Sequence, residues 1–393
     1  MKPDTAAAPP LIRLKTERRS LHPWIFQKMV ERPDPRPRPG SVVEIVDREG
    51  QFAGRGFYNG HSRIALRVLT QNPAEAVDED FFARRIDAAV ALRREVLQLD
   101  AATDAYRLVH SEGDGLSGLV VDRFANTLVV EYFAAGMFRQ RDLIRRCLLR
   151  HFPGADIYAF AEEHVQKQES FDCSTPPTPA PVVIHEHGVA FHAAPGSKHK
   201  TGFFADQRDN RLWLSQFCAG RRVLDLCCNS GGFGIYALAR GGAAEVTGVD
   251  LDEGILQIAE GNARLNRVRP RFVQADIFHW LRDAGSRHGE YDVVVLDPAK
   301  MTRDREQVIP ALKKYLDMNK LALGAVKPGG LLATFSCTGL VSEEQFLDML
   351  RRAAFYAGRS VQVLKVAGAG PDHPWLANVP ESRYLKAAFC RVE

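Results

Sequence analysis

The chain has 393 residues, of which 45% are hydrophobic and 25% charged, as is typical of a globular protein with more than one core. No apolar run approaches the roughly 18 residues that a membrane helix needs, and residues 1–10 show no apolar h-region, so we expect a cytoplasmic protein without a membrane partner. The 7 cysteines show no CxxC or Cys/His ligand spacing, so we predict neither a metal site nor a disulfide framework.

Positive charge is concentrated at the start of the chain. Residues 1–70 contain 13 Lys/Arg against 7 Asp/Glu, whereas the whole chain has a net charge of only +4. Two interpretations stay open: an electrostatic foothold on nucleic-acid phosphate, or a solvated surface with a chance asymmetry.

The predicted elements of the first half are short strands followed by an α+β segment. Strands are predicted over 42–46, 52–58 and 64–69, which favours a small β-barrel. Helical spacing over 79–99 and 137–151, with strands over 118–123 and 127–133, predicts a middle α+β domain. Two stretches rich in proline, 31–40 and 174–181, are interpreted as a loop within the barrel domain and an interdomain linker.

The second half predicts a hairpin followed by alternating strands and helices. The hairpin covers 182–192, and the alternation begins at Val223. Strands are predicted over 223–226, 245–249, 271–274, 293–296 and 331–335, and helices from 232, from 253 and over 305–326. This rhythm predicts an α/β fold with a parallel, doubly wound, Rossmann-like sheet.

A glycine-rich turn after the first of these strands marks the predicted cofactor site. Gly231 and Gly232 allow close backbone approach, and Asp225, Asp250 and Asp276 follow three successive strands. They are expected to contact the methionine amino group, the ribose and the adenine of S-adenosylmethionine. NAD is a less favoured alternative because the turn does not match GxGxxG, and a glycine pair that merely ends a strand is a third interpretation. The candidate cofactor residues are Asp225, Cys227, Asn229, Gly231, Gly232, Phe233, Asp250, Leu251, Asp276, Ile277 and Asp297.

Two later strand ends predict the reaction. Asp297, followed by the candidate catalytic Lys300, could accept from a cytosine amino group or protonate its ring nitrogen. Cys337 follows the next strand and is a candidate nucleophile, whereas Cys227 and Cys228 are interpreted as packing thiols. Thiolate attack at C6 of a pyrimidine makes C5 nucleophilic enough to take a methyl group, and loss of the C5 proton then expels the cysteine.

The most specific of several longer motifs is KTGFFADQRDNR at residues 200–211. It resembles the signature of one family, the bacterial large-subunit ribosomal RNA cytosine-5 methyltransferases. Others are Asp297-Pro-Ala-Lys, Phe335-Ser-Cys-Thr-Gly, Asp372-His-Pro and residues 384–392. The N-terminal strings at 22–26 and 56–59 are similar to the family's RNA-binding PUA domain, and 112–123 is similar to its middle domain.

The resemblance implies a PUA-like domain over 1–72, a middle domain over 73–173, a linker and hairpin over 174–198 and a methyltransferase domain over 199–393. It also implies S-adenosylmethionine as cofactor, large-subunit ribosomal RNA or its precursor as partner, and a homodimer. Cys337 would be the nucleophile and Asp297 would contact the cytosine. Gln207 and Arg208 would line the same pocket, or form a salt-bridged corner between a strand and a helix.

Departures from the family pattern keep other functions open. The chain has Asp-Pro-Ala-Lys-Met at 297–301 where the family has Asp-Pro-Pro-Lys-Phe, and the cofactor turn also differs. Methylation of another RNA position or of an exocyclic nitrogen is one alternative. A catalytically decayed RNA-binding factor is another.

Overall fold

The computed structural model describes residues 8–18, 20–196, 202–283 and 289–393, without the side chain of residue 283. Lys200 and Thr201, the first residues of the long motif, lie outside these ranges. The chain forms two compact units. The first unit comprises the described residues of Met1–Val182, Ala193–Phe203 and Pro371–Ser382, and the second comprises those of Val183–His192, Phe204–Gly370 and Arg383–Glu393.

The first unit begins with a curled five-stranded sheet. Its strands are β1 (Leu11–Arg13), β2 (Trp24–Phe26), β3 (Ser41–Val46), β4 (Phe52–Tyr58) and β5 (Ile64–Thr70), in the order β1-β3-β4-β5-β2. The hairpin between β3 and β4 is closed by Asp47, whose Oδ1 accepts from the backbone N–H groups of Glu49 and Gln51, each over 2.9 Å. The three predicted strands are therefore confirmed, with β1 and β2 added at the edges.

The rest of the first unit is an α+β layer, as predicted. Its elements are α1 (Glu79–Ala91), β6 (Ala105–His110), β7 (Leu119–Phe124), β8 (Thr127–Tyr132), α2 (Ala135–Arg139), α3 (Arg141–His151), β9 (Asp156–Phe160) and α4 (Glu163–Glu169). The sheet order is β6-β7-β8-β9, with β9 parallel to β8. The helix predicted over 137–151 is two helices that meet at Gln140. Asp78 caps α1 by accepting from the N–H of Phe81 over 2.9 Å.

The second unit contains a hairpin and a seven-stranded sheet. Its elements are β10 (Val182–Glu186), β11 (Val189–Ala193), α5 (Arg208–Ser215), β12 (Arg222–Leu226), α6 (Gly232–Ala239), β13 (Glu245–Asp250), α7 (Glu253–Leu265), β14 (Arg271–Gln274), α8 (Ile277–Asp283), β15 (Tyr291–Leu296), α9 (Val308–Ala325), β16 (Val326–Ser336), α10 (Glu343–Ala357), β17 (Val361–Ala367) and β18 (Lys386–Val392). The sheet order is β14-β13-β12-β15-β16-β18-β17.

The first five strands of this sheet are parallel, which confirms the prediction of a Rossmann-like domain. The strand β18 is antiparallel to both of its neighbours, β16 and β17. The strands β18 and β17 were not predicted and extend the sheet beyond β16. Alternate residues of β15 face different cores. Val294 and Leu296 pack in a core that includes α9 and α10, whereas Val293 and Val295 pack in a second core that includes α5 and α6.

Within the described ranges, no helix is long and apolar enough to cross a membrane.

Candidate functional site at the carboxyl ends of the strands

The cofactor turn is a left-handed loop between β12 and α6. The backbone takes positive φ at Cys227 (58°), Asn229 (49°) and Gly231 (81°). Such angles cost little at glycine and more at other residues, so the loop is held against a conformational preference. It is closed by a hydrogen bond from the N–H of Gly231 to the carbonyl of Cys228 over 2.8 Å. The turn ends at the start of α6, the position at which sheets of this kind bind their ligands.

Asp225 lies at the base of this turn and is almost completely buried. Its Oδ2 accepts from the N–H of Gly234 over 2.8 Å. A Cβ at position 234 would lie 3.3 Å from that oxygen and 2.9 Å from Cγ1 of Val246, so glycine is needed there. Burial raises the pKa of Asp225 to about 7, and the charges of Asp297 and Asp250 also raise it. A cationic partner beside the carboxylate would favour its ionised form.

Asp250, at the end of β13, connects the turn to the next loop. Its Oδ2 accepts from the N–H of Asn229 over 2.9 Å, and its Oδ1 accepts from the N–H of Asp252 over 3.1 Å. The neighbouring Leu251 is 66% exposed, so its side chain belongs to the surface. The Asp250 carboxylate thus orients the backbone on both sides of the predicted ribose position.

Asp276 follows β14 and caps α8. Its Oδ1 accepts from the N–H of Phe278 over 2.8 Å and of His279 over 3.3 Å. Ile277, the first residue of α8, is buried. Asp276 therefore has a structural role in addition to the contact with adenine that the sequence predicts for it.

The remaining predicted residues of the turn divide into backbone and packing roles. Phe233 is buried, and its ring packs against Phe335 with centroids 5.1 Å apart, so the side chain lies in the core. A Cβ on Gly232 would meet the Arg211 side chain at 3.4 Å. Burial raises the pKa of the Cys227 thiol and of the Cys228 thiol well above the usual range of cysteine, so both thiols stay protonated.

A buried asparagine that was not predicted from the sequence holds the cofactor turn by a hydrogen bond to its backbone. Asn262, on α7, donates from Nδ2 to the carbonyl of Ser230 over 2.9 Å. Its Oδ1 accepts from the N–H of His192, on β11, over 2.7 Å. Asn262 has no exposed surface, a property that only the structure reveals, so no sequence signal identified it.

Asp297, at the end of β15, is held by a side chain from the long motif. Nε2 of Gln207 donates to Oδ2 of Asp297 over 2.9 Å. Oε1 of Gln207 accepts from Asn210, which also donates to the carbonyl of Gly368 over 3.0 Å. Gln207 is 2% exposed, so the carboxylate is oriented by a buried and immobilised amide.

Arg208 and its neighbour Arg211 form ion pairs at the start of α5. Nε of Arg208 lies 3.2 Å from Oδ1 of Asp209. Arg211 pairs with the buried Glu186 of the hairpin over 2.7 Å and donates to the carbonyl of Phe204. These contacts fit the alternative interpretation of this segment as a salt-bridged corner.

Cys337 directly follows β16 and is half-buried. Its Sγ lies 3.9 Å from the carbonyl of Pro298, the residue after Asp297. The next residue, Thr338, is buried and joins two elements: its Oγ1 accepts from the N–H of Met301 over 3.1 Å and lies 2.9 Å from the hydroxyl of Tyr315. The fold therefore brings the thiol and the Asp297 loop together. Lys300, in the same loop, is exposed.

Comparison with known proteins defines the class. Residues 106–366 match the family model of S-adenosylmethionine-dependent methyltransferases, and residues 15–71 match that of the PUA-like domain. The chain is thus a methyltransferase whose cofactor is S-adenosylmethionine, with a PUA-like domain before the methyltransferase region. This result confirms the predicted cofactor over NAD.

Relatives and solved structures narrow this class. A protein named Ribosomal RNA large subunit methyltransferase I from Aeromonas hydrophila is 41% identical over 94% of the chain and 95% of that protein. One of the same name from Escherichia coli strain HS is 37% identical over 97% of the chain and 99% of that protein. The chain therefore belongs to the ribosomal RNA large subunit methyltransferase I family, and the resemblance found in the sequence is confirmed.

The solved structure of SMU.776 in complex with SAH superposes with a TM-score of 0.82, at 19% identity, over 98% of this chain and all of that one. A second structure, from Streptococcus mutans, has a TM-score of 0.78 at 18% identity over 97% of this chain. At this identity the likeness concerns the fold alone, and it confirms the predicted α/β class with a Rossmann-like domain.

Proposed function

We propose that the protein methylates C5 of a cytosine in large-subunit ribosomal RNA through a covalent adduct with Cys337. The relatives' printed name supports the RNA class, and the basic, PUA-like N-terminal segment supports a phosphate-binding surface. The observation that carries the cysteine mechanism is local. The Sγ of Cys337 lies 3.9 Å from the carbonyl of Pro298, the residue after Asp297, whose carboxylate Gln207 orients.

The cofactor would be held by the acids at three adjacent strand ends. Asp225 would pair with its amino group, Asp250 would contact the ribose, and Asp276 would contact the adenine while it caps α8. When bound, S-adenosylmethionine supplies an electrophilic methyl group. The protein's task is to make the pyrimidine carbon a nucleophile.

Cys337 performs that task in the proposed mechanism. Its thiolate forms a bond from sulfur to C6, and the displaced electron pair makes C5 nucleophilic. After C5 has gained the methyl group, a base removes the C5 proton and the bond between sulfur and C6 breaks, which regenerates the thiolate. Asp297 would hold the cytosine by its amino group or ring nitrogen, and the exposed Lys300 would supply positive charge at the same loop.

The same proposal assigns a function to each domain of the chain. Residues 1–72 would bind RNA, 73–173 would form the middle domain, 174–198 would link to a hairpin, and 199–393 would carry the transfer reaction. The substrate would be free ribosomal RNA or a precursor, met in the cytoplasm by a homodimer.

Trapping with 5-fluorocytosine tests the mechanism. Large-subunit RNA that contains this base is incubated with the protein and labelled S-adenosylmethionine. Because fluorine does not leave C5 as a proton does, the thiol mechanism leaves a stable RNA adduct that mass spectrometry maps to Cys337. The Cys337→Ala variant should form no RNA adduct. Cys173 is a half-buried cysteine of the first unit, so Cys173→Ala is the control and should form the adduct as the wild type does.

The other outcomes identify the alternatives. Methylated RNA without an adduct in the wild type, with activity retained by Cys337→Ala, would indicate transfer to a nitrogen. No product together with no binding of S-adenosylmethionine would indicate a decayed enzyme.

A further inference from the structure

A buried lysine of the neighbouring strand lies next to the backbone that carries the candidate nucleophile. Lys386 is the first residue of β18 and pairs in register with Ser336, the last residue of β16. Cys337 follows Ser336 directly. Although lysine is almost never fully buried, Lys386 is only 2% exposed.

The ammonium group of Lys386 is held by backbone carbonyls. Nζ donates to the carbonyl of Thr338 over 2.7 Å and to that of Tyr384 over 2.8 Å. The first of these carbonyls belongs to the residue after Cys337, so the ammonium lies at the backbone that carries the thiol. No carboxylate among the described residues lies within ion-pair distance of Nζ. A buried cation without a carboxylate partner is costly unless a negative charge forms beside it.

Other ionisable groups lie around Lys386 and Cys337, and most of them have partners of their own or stay neutral. Glu343, at the start of α10, forms an ion pair with Arg383. Burial raises the pKa of Tyr315, on α9, to about 12, so its hydroxyl stays protonated. Asp297 and Lys300 approach from the loop after β15. A thiolate at Cys337 is therefore the anion best placed to compensate the Lys386 charge.

The titration of Lys386 agrees with this geometry. Burial lowers its pKa to about 8, and the negative charge of Cys337 acts in the opposite direction. The charges of Arg383 and Lys300 add to the lowering. The ammonium and the thiolate therefore stabilise each other, since each compensates the burial of the other.

We propose that Lys386 is a positioning residue that keeps Cys337 in its thiolate form at neutral pH, an inference that rests on the proposed function of Cys337 as nucleophile. The thiol gives its proton to solvent before attack, the sulfur electron pair forms the bond to C6, and Lys386 keeps its own protons throughout. When the bond breaks, the returning thiolate faces the same ammonium.

Substitutions separate charge from structure. Lys386→Arg keeps the charge, Lys386→Gln removes it but keeps N–H donors for the two carbonyls, and Lys386→Met removes both. A matched control is Lys327→Met, because Lys327 lies on β16 at the opposite end of the strand and pairs with Asp292.

The readout is the rate of iodoacetamide alkylation of Cys337 against pH, followed by peptide mass spectrometry of the full-length protein without RNA. We expect the midpoint to rise by about 1 to 3 pH units in Lys386→Gln and Lys386→Met. It should change little in Lys386→Arg and Lys327→Met. If Lys386→Gln titrates like wild type, the proposal is wrong, even if Lys386→Met is too unstable to measure.

The fluorocytosine adduct distinguishes this proposal from the one on which it rests. A wild-type adduct on Cys337 with no shift of the alkylation midpoint in Lys386→Gln would overturn the role of Lys386 and leave the mechanism in place. A shifted midpoint without an adduct in the wild type would support the thiolate pairing and overturn the nucleophile. An adduct rate that falls at pH 7 in Lys386→Gln and recovers at higher pH supports both.

Discussion

Gln207 and Asp297 are joined by a partly buried hydrogen bond of 2.9 Å, from Nε2 to Oδ2, between the long motif before α5 and the residue that follows β15. The two residues are 90 positions apart in the chain. The bond limits the rotation of the carboxylate and so determines how Asp297 can present its oxygens to a base.

Replacing Gln207 by leucine should therefore slow methyl transfer. Loss of a hydrogen bond to a charged group costs about 1.5 to 3 kcal/mol, which corresponds to roughly 10- to 100-fold in kcat. The affinity for S-adenosylmethionine, measured by calorimetry, should change much less. Gln216→Leu is the matched control, since Gln216 is an exposed residue just after α5. Equal losses in kcat and in cofactor affinity would instead place Gln207 in the cofactor pocket.

The affinity for S-adenosylmethionine should depend on pH through Asp225. The carboxyl has a pKa of about 7 in the free protein, so it becomes protonated as the pH falls below that value. A cationic amino group selects the ionised form, and binding should weaken by up to about tenfold per pH unit below the pKa. Calorimetry between about pH 5.5 and 7.5 measures this slope.

Asp225→Asn should bind more weakly and lose that slope. Asp317→Asn, which changes an exposed carboxylate on α9, should follow the wild-type curve. A wild-type affinity that is constant over this range would contradict the pairing of Asp225 with a cation.

Asp276 allows capping and cofactor contact to be separated. Asp276→Ala removes the cap of α8 and should cost about 1 kcal/mol of unfolding free energy. Asp276→Ser keeps a capping oxygen on a shorter side chain, so stability should be retained while cofactor affinity falls. Urea denaturation and calorimetry measure the two effects. If Asp276→Ser binds S-adenosylmethionine like wild type, Asp276 only caps the helix.

The buried ion pair between Arg211 and Glu186 should dominate the attachment of the hairpin. Both side chains are at most 3% exposed, with contacts of 2.7 to 3.1 Å. Glu186→Gln removes the carboxylate that compensates the buried charge of Arg211, so we expect a loss of about 3 to 5 kcal/mol in denaturant unfolding. Asp348→Asn, which breaks an exposed ion pair on α10, should cost less than about 1 kcal/mol.

A double variant tests the origin of that cost. Arg211→Met combined with Glu186→Leu removes both charges and should recover most of the stability. A double variant as unstable as Glu186→Gln would show that packing, rather than the loss of the compensating carboxylate, causes the loss.

RNA binding should depend on the exposed cations of the first unit. Arg18 and Arg36 are structural, because they donate to the backbone carbonyls of Ser20, His22 and Gly60. The exposed set for charge removal is Lys15, Lys28, Arg32 and Arg38. Their replacement by glutamine should weaken RNA binding. It should also reduce the slope of log affinity against log salt by about 0.7 to 0.9 for each RNA phosphate that the protein no longer neutralises.

The control for RNA binding is a set of four exposed cations on α9 and α10. These are Lys313, Lys314, Lys320 and Arg352. Cofactor affinity should be unchanged in both sets. A salt slope that falls equally in both would show that RNA is attracted by net charge rather than by the PUA-like domain.

The amino-acid sequence by itself determined the elements and the strand-end acids. Hydrophobic periodicity and turn residues are local signals, and parallel strands bring their carboxyl ends to one edge of a sheet, so Asp225, Asp250 and Asp276 could be assigned to one edge without coordinates. These local signals did not predict that the helix over 137–151 breaks at Gln140. They also did not predict the strands β17 and β18, which pair in antiparallel fashion.

Only the tertiary structure decided which distant residues meet. The pairing of Lys386 with Ser336, the support of the turn by Asn262 and the return of residues 371–382 to the first unit all join segments far apart in the chain. Strand register and the burial of polar groups depend on the packing of the whole unit, and no local pattern specifies them. For that reason the sequence pointed to the thiol of Cys337, whereas the cation beside it emerged only from the fold.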